Sequence, residues 1–184
     1  QFSERGVCPY QFSFILSSSL RRLILDPGTL ADRLHLAVDA RVLELGPGPG
    51  FFTRTVAERL PQGRLDLLDL QPEMLKKTRR QLEHAGVDGV SFATGDGTRL
   101  PYQDGSFDVA FLVAVLGEMP DPNACVREVS RVLRSGGLVS VTEQPGDPDL
   151  VPQEEIRSLA EAAGLTYKET FGKAKNFTVN YVKA

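Results

Sequence analysis

The chain is poor in the residues that would commit it to several chemistries. Only two of its 184 residues are cysteines, Cys8 and Cys125, and only two are histidines, His35 and His84. Two cysteines cannot build a disulfide framework, and they have no metal-ligand spacing. No metal site is therefore expected, and a reducing cytoplasm fits. A basic excess is missing too. Lysine and arginine total 21 against 24 acids, for a net charge of −3, which argues against nucleic acid as a partner. The cluster Lys76-Lys77 and Arg79-Arg80 reads as a solvated helix face. No apolar run approaches the roughly 20 residues of a membrane span, so no membrane insertion is expected. The stretch around residues 12–16 lacks the charged, apolar and cleavage-site order of a secretory leader. The chain opens on Gln1 rather than Met, so sequence is expected to precede it. No repeat, linker or low-complexity stretch interrupts it. At 41% hydrophobic and 24% charged, the composition is that of one globular domain able to bury a sizeable core.

What is present is a regular alternation of strand and helix patterns, the mark of an α/β protein with a parallel sheet. Strands are expected near 41–45, 64–69, 90–94, 107–113 and 138–143, and helices near 51–60, 72–86, 122–134 and 152–163. Two β-rich runs, Leu165–Thr170 and Asn176–Val182, read as a closing antiparallel hairpin. Ahead of the core, residues 12–36 have a helical pattern, with Leu16, Leu20, Leu23 and Ile24 three and four apart. Asp26-Pro27 breaks that pattern and caps a second short helix through about His35. One domain over 1–184 is expected, with 1–39 as a helical lid or extension and 40–184 as the ligand-binding core.

The densest signal is Arg41-Val-Leu-Glu-Leu-Gly-Pro-Gly-Pro-Gly50, followed by Phe51-Phe52-Thr53. An apolar strand ends in Glu44, and Gly46, Gly48 and Gly50 then allow a tight turn and close approach of backbone to a ligand. A dinucleotide fingerprint would need glycine at position 51, where Phe51 stands, so the pyrophosphate reading loses. A carboxylate at this loop favours a cationic ligand and would repel a phosphate. Asp69 ends the second strand, nineteen residues after Gly50, and can accept both hydroxyls of a ribose.

These segments, in order, resemble the S-adenosylmethionine-dependent methyltransferases of class I, in particular the small-molecule, UbiE-like (type 11) group. The E-x-G-x-G-x-G loop matches their first motif. Asp69-Leu-Gln-Pro-Glu-Met-Leu75 is similar to D-x-S-P-E-M-L, with Gln71 in place of serine. Gly95-Asp96-Gly97 and Leu100-Pro-Tyr-Gln-Asp-Gly-Ser-Phe-Asp108 resemble the G-D-A segment and its continuation. Phe107–Asp121 resembles F-D-x-V-x-S-x-x-x-L-H-H-x-x-D, with Leu112 at the serine and Gly117-Glu118 at the histidine pair. Arg131-Val-Leu-Arg-Ser-Gly-Gly-Leu138 departs from its counterpart only at Ser135. The resemblance spans about residues 40–184. It implies a Rossmann-like, mostly parallel seven-stranded sheet of order 3-2-1-4-5-7-6, with strand 7 antiparallel and helices on both faces. It also implies S-adenosyl-L-methionine as cofactor and S-adenosyl-L-homocysteine as product. Glu44, Gly46, Pro47, Gly48 and Gly50 would hold the methionine end, Asp69 with Leu70 and Met74 the ribose side, and Asp96 and Gly97 the adenine. Leu112 and Val113 would line the methionine side, with Leu116 in contact.

Methyl transfer relies on alignment and exclusion of water, so few catalytic side chains are obligatory. Glu118 is the first candidate for positioning the acceptor or acting as base, and Glu143, on the same sheet edge, is the second. Tyr10, with Phe12 and Phe14, is a third through an aromatic lid. Glu118 has a plainer reading as an exposed acid, and the aromatics as packing residues. His35 and His84 receive no role. Cys8 and Cys125 alone cannot form a multi-thiol arsenic site. The expectation is a methyltransferase with a small-molecule acceptor. The rivals are a catalytically inactive S-adenosylmethionine-binding or assembly module that presents its N-terminal segment to a partner, and, less favoured, a nicotinamide-dependent oxidoreductase.

Overall fold

The apolar strand ends read above converge because every parallel strand in the protein points the same way. The computed structural model describes residues 21–184. Two short helices, α1 (Arg21–Ile24) and α2 (Pro27–Arg33), precede β1 (Arg41–Leu45), α3 (Thr53–Glu58), β2 (Arg64–Asp69), α4 (Pro72–Ala85) and β3 (Val90–Thr94). Then follow β4 (Phe107–Val113), a 3-10 turn (Leu116–Glu118), α5 (Pro122–Val132), β5 (Leu133–Glu143), α6 (Gln153–Ala162), β6 (Leu165–Lys173) and β7 (Asn176–Lys183). The strands form one sheet of order β3-β2-β1-β4-β5-β7-β6. β7 runs antiparallel to β5 and β6, and the other pairs are parallel. The sheet order and its reversed strand are those the resemblance implies.

Strands β1, β2 and β4 are nearly continuous apolar runs because helices cover both sheet faces. One face packs Leu43, Leu45, Ala110 and Leu112 with Val126 and Val129 of α5 and Ile156 and Leu159 of α6. The other packs Val42, Leu67, Val109 and Phe111 with Leu30 and Leu34, Phe52, Val56 and Leu75. Burying a large aliphatic side chain contributes roughly 1.5–3 kcal/mol, so these two layers dominate the stability.

Helix boundaries follow capping chemistry. Asp26 caps α2 by accepting from the N–H groups of Gly28 and Thr29, at 2.8 and 3.3 Å, and Pro27 starts the helix. Asp121 does the same for α5 through Ala124 N–H, 2.9 Å. Both caps were legible as Asp-Pro pairs. Several boundaries differ from expectation. The helix foreseen over 51–60 has only the six residues Thr53–Glu58 and lacks a side-chain N-cap; residues 48–52 are spent turning the loop. The helix foreseen to 134 stops at Val132, because Leu133 already pairs with Phe107. The register then shifts, Leu138 pairing with Val109, so that Arg134–Gly137 bulges out. The hairpin strands are also longer than expected, reaching Lys173 and Lys183.

The described part of the N-terminal extension packs as core. Leu25, Leu30, Ala31 and Leu34 are buried. Asn176 and Asn180 on β7 donate to the carbonyls of Ile24 and Arg33, at 3.0 and 2.8 Å. Tyr10, with Cys8, Phe12, Phe14, Leu16 and Leu20, lies outside the described residues. No helix among the described residues is long and apolar enough to cross a membrane.

Candidate functional site

A cavity opens at the carboxyl-terminal edge of β1, β2, β3 and β4, where ligands bind in open α/β sheets. Its floor is the glycine loop. Gly46, Gly48 and Gly50 have φ of 62°, 54° and 83°, the left-handed region that glycine enters without a Cβ penalty. Gly46 N–H donates to Leu68 C=O at 2.8 Å, tying the loop to β2. A Cβ on Gly46 would lie 2.6 Å from Val115 Cγ2. Gly50 works outward instead. It faces Thr78 of α4, whose methyl would sit 2.7 Å from an added Cβ, and the Thr78 hydroxyl donates to Gly48 C=O, 2.8 Å. This glycine seats a helix on the loop and does not line the cavity.

Two buried carboxylates bracket the loop. Glu44 is 3% exposed and accepts from the Thr53 hydroxyl at 2.8 Å. Asp69 accepts from Gly48 N–H at 3.2 Å and Gln71 N–H at 2.8 Å, joining the loops after β1 and β2. Burial raises the Asp69 carboxyl above its ordinary range, and these N–H groups offset part of the rise. Its two oxygens keep lone pairs for further donors.

Glu44, Gly46, Pro47, Gly48, Asp69, Leu70, Met74, Asp96, Gly97, Val113 and Glu118 all line the cavity. Asp96 is exposed and accepts from Thr98 N–H, 2.8 Å. Leu70 is half exposed, and Met74 is buried. Leu112 and Leu116 do not line the wall. They belong to the core face packed on α5 and α6, and the strand end turns Val113 and then Ala114 toward the cavity instead. Ala114 adopts φ 54°, unusual for a residue with a Cβ.

Glu143 is not on the wall. It ends β5 at 1% exposure; no donor meets either carboxylate oxygen in good hydrogen-bond geometry, and the donor that acts on the group is the Val151 backbone N–H. Burial foremost, and then the charge of Asp147, push its carboxyl up to about 8, although the Val151 backbone N–H opposes the shift. Cys125 is buried, with its thiol pushed up to about 12, and is inert as a nucleophile.

Sequence reasoning missed Thr53, Thr78, Val115 and Met119. Thr78 had a readable sign: it is a buried hydroxyl on the apolar stripe of α4. Met119 had none, since only the fold brings its methyl against Gly97, 2.8 Å from where a Cβ would stand.

Among the described residues, the cavity wall carries the four acids Glu44, Asp69, Asp96 and Glu118 and no lysine, arginine or histidine. Such a wall suits a cation and hydroxyl groups and rejects a pyrophosphate. No group of three His, Cys, Asp or Glu side chains among the described residues converges to hold a metal ion.

A family model described as a methyltransferase domain matches residues 43–141. Over 133 residues the chain is 32% identical to the ubiquinone/menaquinone biosynthesis C-methyltransferase UbiE of Hahella chejuensis, covering 70% of this chain and 53% of that protein. Over 122 residues it is 32% identical to 2-methyl-6-phytyl-1,4-hydroquinone methyltransferase 2, chloroplastic, of Oryza sativa subsp. japonica, covering 66% and 33%. The chain thus spans about half or less of the length of these curated relatives. In fold it is similar to the crystal structure of a SAM-dependent methyltransferase from Aquifex aeolicus. The TM-score is 0.86 at 18% identity, over 97% of this chain and 100% of that one.

Proposed function

The chain belongs to the methyltransferase-domain family, and from that membership we propose that it transfers the methyl group of S-adenosyl-L-methionine to a small-molecule acceptor that carries a hydroxylated aromatic ring. The observation that carries the cofactor half is the acid-lined cavity without a basic side chain. The acceptor half rests on the relatives named for quinone biosynthesis and hydroquinone methylation. The net charge of −3 supports a partner other than nucleic acid, and the sparse cysteines support a cytoplasmic setting.

The residues fit the cofactor. Glu44 and the bare backbone of Gly46, Pro47 and Gly48 would receive its charged amino-acid end, Asp69 its ribose hydroxyls, and Asp96 with Gly97 its adenine. Leu70 and Met74 supply apolar contact on the ribose side, and Val113 on the methionine side. When bound, the cofactor supplies a methyl group activated by a sulfonium. The protein's part is to hold the acceptor in line with that methyl, which accounts for much of the acceleration in reactions of this type, and to keep water out. Glu118, half-buried on the wall beside Ala114 and Val115, is placed to orient the acceptor. The inactive-module reading has no observation in its favour.

The test is calorimetric binding of S-adenosylmethionine and S-adenosylhomocysteine, with NAD as control. Micromolar binding of both adenosyl compounds, and none of NAD, is the expected result. Asp69→Ala should weaken both by about 1–3 kcal/mol through lost charged hydrogen bonds. Unchanged affinity in the folded variant removes Asp69 from the ribose site, and selective NAD binding overturns the cofactor assignment.

A further inference from the structure

Gly97 is a glycine for a reason its backbone does not supply. It is not among the glycines with positive φ, so a residue with a Cβ could take its conformation. What the position lacks is room. A Cβ there would stand 2.8 Å from the Met119 methyl, 3.1 Å from the Met119 sulfur and 3.7 Å from the Cys125 sulfur. The thioether of Met119 therefore lies where a side chain at 97 would point. It is half-buried, and it forms part of the cavity wall beside Asp96 and Gly97.

The backbone of Met119 is held on both sides. Its N–H donates to Leu116 C=O at 3.3 Å, closing the 3-10 turn, and Pro120 follows with φ fixed by its ring. Asp121 then caps α5 through Ala124 N–H. Behind the thioether stands the core layer it packs against, which includes Cys125 and Val126. Cys125 is fully buried, so the thioether is backed on the core side and open on the cavity side. Across the wall, Asp96 accepts from Thr98 N–H through Oδ1, and its carboxylate has further acceptor capacity for a ligand donor. Both methionines of the chain, Met74 and Met119, line this cavity. A thioether adapts to an irregular gap and makes favourable contact with the edge of an aromatic ring. The arrangement suits a flat ring that donates an amino group to Asp96 and meets Met119 at the same edge.

We propose that Met119 is a specificity residue of the adenine end: its thioether, seated in the space left by Gly97, gauges the 6-amino edge of the ring and excludes a purine alkylated there. This rests on the S-adenosylmethionine reading above. An unsubstituted amino group donates to Asp96 and leaves the thioether in place. An alkyl group on that nitrogen has to displace the thioether, which the core backs. Gly97 and Met119 thus act as one steric unit. A methyl group at 97 pushes the thioether toward the cavity. Folding suffers little, because the displaced atoms are the far end of a flexible side chain, and the loss falls on the ligand. Trimming Met119 opens the wall at the same place.

The test is calorimetry on the full chain with S-adenosylhomocysteine and its 6-N-methyl derivative as probes. The parent should bind the methylated compound about 10–200-fold more weakly than the plain one, and Met119→Ala should bring the two within about threefold. Gly97→Ala should melt with the parent yet bind S-adenosylhomocysteine about tenfold more weakly. Adding Met119→Ala to it should restore most of that loss, a coupling that a general defect in folding would not produce. In protein labelled with 13C at the methionine methyls, the resonance that disappears in Met119→Ala should shift when adenosine is added and stay in place with free methionine. A folded parent that binds no S-adenosylhomocysteine would overturn the cofactor reading. The proposal itself is overturned by a parent that binds both probes alike, or by a Met119→Ala variant that keeps the parent's discrimination. Additive losses in the double variant, or a Met119 resonance that adenosine leaves in place, overturn it as well.

Discussion

Two rims of one cavity are built by different means. The rim after β1 and β2 is backbone architecture. Positive-φ glycines, the Gly46-to-Leu68 hydrogen bond and the Asp69 carboxylate fix the course of the loop before any ligand arrives. The rim after β4 is tertiary: its turn stays in place because the loop after β5 lies against it. Gly117 is needed there for space, since the Asp149 carbonyl occupies the position of its side chain. The first rim tolerates little variation in conformation, and the second tolerates little in volume.

Substitutions can separate the two. The largest effect is expected from Gly117→Ala. A methyl group cannot occupy 1.7 Å from a backbone oxygen, so the β5–α6 loop must lift, at about 3 kcal/mol of stability. Thermal melting should show the loss, and acceptor turnover should fall further than S-adenosylhomocysteine affinity. Parallel loss of both would mean that the rims are coupled.

Next comes Glu143→Gln, read through stability. The folded carboxyl titrates at about 8 and the unfolded one near 4.3. A raised folded value means that Glu143 costs nothing below the unfolded pKa, costs progressively more as pH climbs, and reaches its full penalty above about 8. The variant should melt with the parent at pH 4 and clearly above it at pH 9. A constant difference across that range would remove Glu143 as the cause.

Gly46→Ala comes third, at about 2 kcal/mol, from its φ of 62° and the Val115 contact. Its signature should be the reverse of the Gly117 variant, with cofactor affinity suffering most in calorimetry. Smallest is Thr53→Val, which removes the hydroxyl that holds Glu44. About 1 kcal/mol of cofactor affinity should be lost, and an unaffected affinity would show that Glu44 is oriented by other contacts.

The same contrast explains what could be read in the sequence. The places of Gly46, Gly48, Asp69 and Asp96 on the cavity wall were legible because each encodes a local requirement, a backbone angle or a strand-end position, that the neighbouring residues announce. The Asp-Pro caps at 26 and 121 were legible for the same reason. The second rim was not. Gly117-Glu118 stood out only as a departure from a familiar pattern, because the residue that demands Gly117 lies 32 positions further on. Leu112 was expected on the wall and belongs to the core, since the backbone reversal at Ala114 decides which residue turns inward. Gly50 looks like its two neighbours in the motif, yet a threonine from α4 determines its use.

The stitching of α2 to β7 has a consequence for synthesis. Asn176 and Asn180 bind the carbonyls of Ile24 and Arg33, and the Thr178 hydroxyl accepts from the Arg33 guanidinium at 2.8 Å, across about 150 residues of chain. A ribosome delivers α2 well before the strand that anchors it. During translation the partly made sheet lacks that anchor, and α2 waits without its hydrogen-bond partners. Contacts of such sequence separation are slow to form, and exposed apolar surface in the interval invites association with other chains. The β6–β7 hairpin thus acts as a clasp of the fold, and a nascent chain stalled before residue 176 would be the form most dependent on chaperones.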